Sequence, residues 1–315
     1  MKAKIVNVME ENWDYLIILD ACRYDYISSM YKNYFLGQLE KRTSLGSCTP
    51  EWVQRSFPNY YPDVIYISGN PYINSKIKIA WFDAKRHFYK VVDVWDFGWS
   101  EELGTVPPEK VNEATLSFTH KFPEKRFIVH YLQPHAPYIS SNFQTKGFPA
   151  PNPKHKRVLT GMQGYRVNRT VETIVNHIGS LLVRTRLIKN VWELREMINL
   201  PPASPMDAVR RKYGINGLRE AYKENLKIVL EHVAELCNEL LRREPSRSIA
   251  ITSDHGELLG ERGTYSHGSG YRDQILIEVP WLTVTNVKGT VRRIKSSKKR
   301  KLKEKIERLK NSGRV

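Results

Sequence analysis

SIAITSDHGELLGERGTYSHGSG, from Ser248 to Gly270, joins a strand-like apolar run to a cluster of acid and imidazole side chains. Ile249-Ala250-Ile251-Thr252 is a short apolar run that reads as a buried strand, and Ser253-Asp254-His255-Gly256 is where it breaks into a loop. A carboxylate and an imidazole side by side at a strand end, with a second imidazole at His267 beyond a Gly-rich loop, suit a divalent metal next to a bound anion. Such groups sit on loops at strand ends because the sheet holds them while the loop stays open to substrate. The plain alternative is a surface loop that merely contains Asp and His, as short motifs often prove to be.

The other end of the chain repeats the grammar. Tyr15-Leu16-Ile17-Ile18-Leu19 is bounded by Asp14 and Asp20, too short for a membrane span, and predicts a central strand with Asp20 at its C-terminal edge. Two segments that read strand then acid place their acids side by side in a parallel sheet. Further strands are expected at 63–67, 88–92, 126–131 and 279–284, and helices at 23–32, 108–118, 170–198 and 217–242. In the last helix Leu218, Tyr222, Leu226, Val229, Val233, Leu236 and Leu240 form a core-facing stripe. Strands separated by helices predict an α/β fold with a mostly parallel central sheet flanked by helices. Residues 139–212 read as a helical insertion, opening with a Pro- and Gly-rich loop or lid at 139–165.

A chain of 315 residues is long enough for one large α/β domain, taken here as residues 1–287. The absence of a long apolar run or a signal-like N-terminus, with three cysteines in no paired spacing, points to reduced thiols and a cytoplasmic protein. The net charge of +17 is uneven: residues 288–315 carry thirteen Lys or Arg against two Glu, a net +11 that leaves +6 for the rest. That basic tail, with Leu302, Ile306 and Leu309 at helical spacing, would be drawn to an anionic membrane surface or to nucleic acid, or would be a solvated extension with no partner.

Three motifs, in order, carry a resemblance. Leu19 to Tyr26 (LDACRYDY), Leu132 to Tyr138 (LQPHAPY) and the Asp254-His255-Gly256-Glu257 segment together resemble the sulfatase-like and phosphoglycerol-transferase-like branches of the alkaline phosphatase superfamily. The late His267-Gly268 pair reverses the Gly-His order found there. The resemblance runs from about Tyr15 to about Leu282. It implies the alkaline phosphatase-like fold and a metal-dependent hydrolase or transferase of phosphate or sulfate esters working through a covalent intermediate. Its alternative is an inactive relative that binds polyanions. A phosphomutase would need a fuller two-metal set.

The resemblance also implies site roles. Asp20, Asp254 and His255 would hold one divalent metal. His267 would be a further ligand in a two-metal site, and His135 and His267 would serve the transferred anion and its leaving group. Ala21 stands where sulfatases carry a second Asp, which favours Mn²⁺ or Zn²⁺ over Mg²⁺ or Ca²⁺. Asp83 and His87 form the only Asp-x-x-x-His pair that could add ligands. The family's nucleophile opens a helix a few tens of residues after the first Asp, which selects Thr49, with Thr49 also readable as an N-cap before Pro50. Cys48 is the rival: Cys48-Thr49-Pro50 has the Cys-x-Pro spacing that sulfatases oxidise to formylglycine, but the Arg that follows there is replaced here by Trp52 after Glu51. Arg23 would present its guanidinium fork to the anion, or pair with Asp25. His130 reads as an ordinary strand histidine.

Overall fold

The computed structural model describes residues 4–79, 81–152 and 169–288. The first strand, β1 (Tyr15–Leu19), is buried along its whole length, as five consecutive apolar residues in a central parallel strand must be. After it come α1 (Tyr24–Ser28), β2 (Phe35–Thr43), α2 (Thr49–Ser56), β3 (Tyr61–Ser68), β4 (Phe88–Asp93), α3 (Val94–Phe97), α4 (Pro108–Lys121) and β5 (Arg126–Tyr131). The insertion contributes α5 (Arg169–Arg184) and α6 (Val191–Met197), followed by the long α7 (Pro205–Arg243). The chain then runs through β6 (Ile249–Thr252), β7 (Leu258–Glu261), β8 (Thr264–Ser266), α8 (Gln274–Ile277) and β9 (Glu278–Val287).

Seven strands form one sheet in the order β2-β9-β6-β1-β5-β3-β4. The five from β6 to β4 are parallel, and β9 and β2 close one side antiparallel. Side chains alternate across the sheet. Tyr15, Ile17 and Leu19 of β1 pack with Leu226, Val229, Leu230 and Val233 of α7 on one face. Leu16 and Ile18 pack with Trp52, Phe57 and Trp281 on the other. Each such buried side chain stabilises the fold by roughly 1.5–3 kcal/mol. The expected α/β architecture is therefore the observed one.

Some local expectations give way. The single helix expected over 170–198 is two, α5 and α6, because the backbone turns at Arg186 (φ 62°) and Asn190 then caps α6 by accepting from the Glu193 amide. Strand β2 was not anticipated: Phe35–Thr43 mixes Gly37 and charged residues and becomes a strand only by pairing with β9. The helix expected at 23–32 is the shorter α1. The loop between Glu257 and His267 is a hairpin, β7–β8, whose two-residue turn places Arg262 (φ 53°) and Gly263 (φ 76°) in the left-handed region, the geometry that suits a tight hairpin. No helix among the described residues is long and apolar enough to cross a membrane. The basic tail lies outside the described residues, apart from Lys288, as does 153–165 of the proposed lid.

Candidate active site

The parallel strands all point their C-terminal ends at one edge. Asp20 follows β1, Asn70 lies just after β3, His135 follows β5, and Asp254 and His255 follow β6. Because β1 lies between β5 and β6, the acids of two segments far apart in sequence meet there. Ligand atoms of Asp20, Asp254 and His255 lie within 4.8 Å of one another, and all three side chains are buried. His255 Nε2 is 3.3 Å from Asp254 Oδ2 and 3.8 Å from Asp20 Oδ1.

Backbone and hydroxyl ties hold this floor. The amides of Ala21 and His255 donate to Asp254 Oδ1, and the Cys22 amide donates to Ser253 Oγ. The Tyr222 hydroxyl of α7 bonds the Ala21 carbonyl, and the Arg23 amide donates to it. Ala21 itself is left-handed (φ 57°), a strained conformation for a residue with a Cβ, so the turn after Asp20 is held by its surroundings rather than by local preference. Gly256 is required by contact: a Cβ there would lie 1.9 Å from the Ile275 carbonyl oxygen.

Electrostatics favour a cation at this floor. Burial pushes the Asp20 carboxyl up, but His130, His135 and His255 outweigh it and hold the group below the ordinary carboxylate range. Burial also pulls His255 down, against the opposing pull of Asp254 and Asp20, so its ring stays neutral and able to ligate. Two buried carboxylates beside a neutral imidazole form an oxygen–nitrogen donor set that fits a divalent cation.

Thr49 is the first residue of α2, 4% exposed, and its Oγ1 donates to Asp254 Oδ2 at 2.6 Å while lying 3.4 Å from His255 Nε2. The expectation that Thr49 caps the helix is corrected: Cys48 occupies the N-cap, without a side-chain cap bond, which leaves the Thr49 hydroxyl free to face the acids. Glu51, which precedes the Trp52 that stands in place of the sulfatase Arg, also has a use. Its Oε2 accepts from the Ser47 amide and hydroxyl and lies 3.5 Å from the Gly270 amide, tying the loop before Thr49 to the loop after His267.

A second cluster stands beside the first. His135, Glu257 and His267 also have ligand-type atoms within 4.8 Å of one another. Buried Glu257 meets His267 Nδ1 at 2.9 Å through Oε1, and its Oε2 is 3.9 Å from His135 Nε2. Burial disfavours a charged His267, but Glu257, with Asp20 and Asp254 behind it, overcomes that and pushes the group up to about 9. The hairpin β7–β8 delivers His267. Asn225 of α7 fixes the His135 loop, donating from Nδ2 to the carbonyls of Pro134, His135 and Pro137 and accepting from the Ile139 amide.

Among the residues selected from sequence, the structure brings together Asp20, Thr49, Asp254, His255, His135 and His267. It groups His267 with His135 and Glu257 rather than with Asp20, Asp254 and His255. Arg23 is engaged elsewhere: its fork is bidentate on Asp25 (3.0 and 2.7 Å) and bonded to Glu261 (2.6 Å). Cys48 is buried, and burial raises its thiol, which disfavours the nucleophilic thiolate. Asp83 and His87 precede β4, so they lie toward the opposite end of the parallel strands from the site, and His87 faces the Asn59 carbonyl. Three contributors escaped the sequence reading. Glu257 stands within the quoted motif but had no role, His130 lies 3.6 Å from Asp20 Oδ2, and Asn70 donates to that same oxygen at 2.6 Å. The signal for His130 was its place at the end of an apolar strand beside an acid-bearing one.

The family model described as Sulfatase matches residues 59–296. No curated protein matches the chain in sequence. Among solved structures it is similar to the C-terminal periplasmic domain of phosphoethanolamine transferase EptC from Campylobacter jejuni, at 15% identity over 90% of this chain and 79% of that one (TM-score 0.44). It is similar to the corresponding periplasmic domain of Escherichia coli EptC in complex with Zn, at 12% identity over 90% and 76% (TM-score 0.46). It is also similar to a phosphonate monoester hydrolase from Silicibacter pomeroyi, at 14% identity over 90% and 68% (TM-score 0.43). Two of these neighbours are periplasmic domains. The cytoplasmic placement expected from the sequence is withdrawn. The physical reason is simple: three thiols without paired spacing carry no cellular address.

Proposed function

The chain belongs to the sulfatase family, whose enzymes act on phosphate and sulfate esters, and from that premise we propose that it transfers or hydrolyses such an ester through a covalent intermediate on Thr49. The observation that carries the proposal is the 2.6 Å bond from Thr49 Oγ1 to Asp254 Oδ2, made at the first turn of a helix beside a buried metal-type donor set. When bound by Asp20, Asp254 and His255, a divalent cation (Zn²⁺ or Mn²⁺ by the donor types) supplies a lowered hydroxyl pKa and positive charge for the ester oxygens.

The chain's own groups do the rest. Asp254 Oδ2 already holds the Thr49 proton and orients the oxygen. Thr49 Oγ1 forms a bond to phosphorus or sulfur as the bond to the leaving oxygen breaks. The leaving oxygen takes a proton from the imidazolium that Glu257 maintains at His267, and His135 lies across the same cleft, its ring centroid 5.3 Å from that of His267. Water or an acceptor alcohol then attacks the phospho- or sulfothreonine, giving its proton to the His267 imidazole, and as the bond to Thr49 breaks Thr49 Oγ1 takes its proton back from Asp254. Among the described residues, Asn70 keeps Asp20 oriented throughout.

The test is turnover of phosphate and sulfate mono- and diesters by the protein supplied with Zn²⁺, Mn²⁺, Mg²⁺ or Ca²⁺, with mass-spectrometric trapping of the adduct. A phospho- or sulfo-adduct on Thr49 is expected. An adduct on another residue, or no turnover of any ester with any metal, would overturn the proposal.

A further inference from the structure

The cleft above Thr49 is a cavity of about 440 Å³, of the size that encloses a small ligand. Its walls are mostly apolar: Tyr72, Trp99, Phe148, Trp192, Met206 and Tyr265 surround the approach to Asp20, Thr49, His135 and His267. Among the described lining residues there is no Lys, Arg or Glu, and Asp20 is the only carboxylate. Two cations close to this wall are already paired: Arg210, whose guanidinium lies 5.8 Å from the Tyr265 ring, binds Asp207 and Glu196, and Arg23 binds Asp25 and Glu261. Among the described residues the lining therefore offers His135 and His267 to one anionic centre and no cationic side chain to a second.

The far wall is built from two separate elements. Trp192 of α6 stacks on Tyr265 of β8, ring centroids 5.1 Å apart and planes at 20°. The hairpin that carries His267 thus also carries half of an aromatic wall, and the insertion supplies the other half. A planar aromatic surface of this kind favours an uncharged apolar or ring-bearing group.

We infer that the site takes an ester with a single anionic centre, the one attacked, on an uncharged apolar substituent, and that the Trp192–Tyr265 stack is the wall recognising that substituent. This rests on the ester-cleaving reading above. A polysulfated saccharide or a nucleoside polyphosphate would set its additional charges against the apolar described wall, where burial of an unpaired charge is costly. An aromatic ring and an alkyl chain share the chemistry required, and the experiment separates them.

Inert phosphonates test recognition without turnover. Binding of methyl-, phenyl-, n-hexyl- and 2-carboxyethylphosphonate to the full-length, metal-loaded protein is measured by calorimetry. The phenyl or hexyl compound is expected to bind at least about tenfold tighter than the methyl compound, the scale for burying several apolar carbons, and the carboxyethyl compound no tighter than methyl. Phenyl ahead of hexyl assigns a ring-bearing substituent, and the reverse an alkyl chain. Trp192→Ala should erase most of that gain and Trp192→Phe should keep most of it, with the melting temperatures of both variants checking that the wall still folds. Equal affinity for all four, or tightest binding of the carboxyethyl compound, would overturn the inference while Thr49-dependent turnover, if present, left the ester reading standing. Apolar preference without any turnover would sink the ester reading and keep the wall.

Discussion

Thr49 and Asp254 are 205 residues apart in the chain, yet their side chains share a 2.6 Å hydrogen bond. That bond places a hydroxyl at the start of α2 against the end of β6, and it is the geometric basis for choosing Thr49 over its neighbour Cys48. The burial that raises the Cys48 thiol works in the same direction.

Thr49→Ala should lower turnover by about three orders of magnitude or more, the scale for losing a nucleophile, while metal content falls little because three side-chain donors remain. Cys48→Ser should be mild. Steady-state rates and elemental analysis check both. Loss of activity in Cys48→Ser, with an aldehyde found at Cys48, would transfer the role to a formylglycine.

Asp20→Ala and Asp254→Ala should each remove most of the bound metal. In the native protein, a chelator should lower the melting temperature, since a ligand at a thousandfold excess over its dissociation constant stabilises by about 4 kcal/mol. In either variant the chelator should change little. Undiminished metal content in both would dissolve the proposed donor set.

In metal-free protein, His267 should titrate near pH 9 and Glu257→Gln should bring it down toward 6.5. A raised pKa means that the folded state binds this proton more tightly than the unfolded state. Its stabilising contribution is therefore complete below about pH 6.5 and is lost as pH rises through about 9. Histidine ring resonances followed by NMR, with melting curves between pH 6 and 10, give the comparison. Identical midpoints in native and variant protein would remove Glu257 as the partner.

Asn225→Ala should act through the loop of His135. Three carbonyls lose a common donor and the Ile139 amide loses its acceptor, at a cost of about 1–3 kcal/mol in stability. Turnover should fall about tenfold or more with metal content intact. Unaltered kcat with a lowered melting temperature would make Asn225 purely structural.

Removing residues 289–315 deletes twelve cations, so salt-sensitive retention on anionic vesicles or nucleic acid should drop sharply while turnover of a small ester stays the same. Equal retention of the truncated protein on both surfaces would mark the tail as a solvated extension.

Short-range signals were enough for much of the architecture. Five apolar residues ending in Asp20 and four ending before Asp254 specify buried strands, because the period and burial of a strand are written in its own residues. From two such segments the sequence alone placed both acids at one sheet edge, and the helical stripe of α7 declared its buried face. Other features depended on partners far along the chain. Strand β2 exists through its pairing with β9, and Arg23 could be assigned to Asp25 and Glu261 only once β7 lay beside it. Glu257 and His130 became part of the site only when the sheet order brought β5 and β6 to either side of β1. Local sequence encodes secondary-structure period and burial. Which side chain meets which across hundreds of residues is settled by strand order, register and turn geometry, and these belong to the tertiary structure alone.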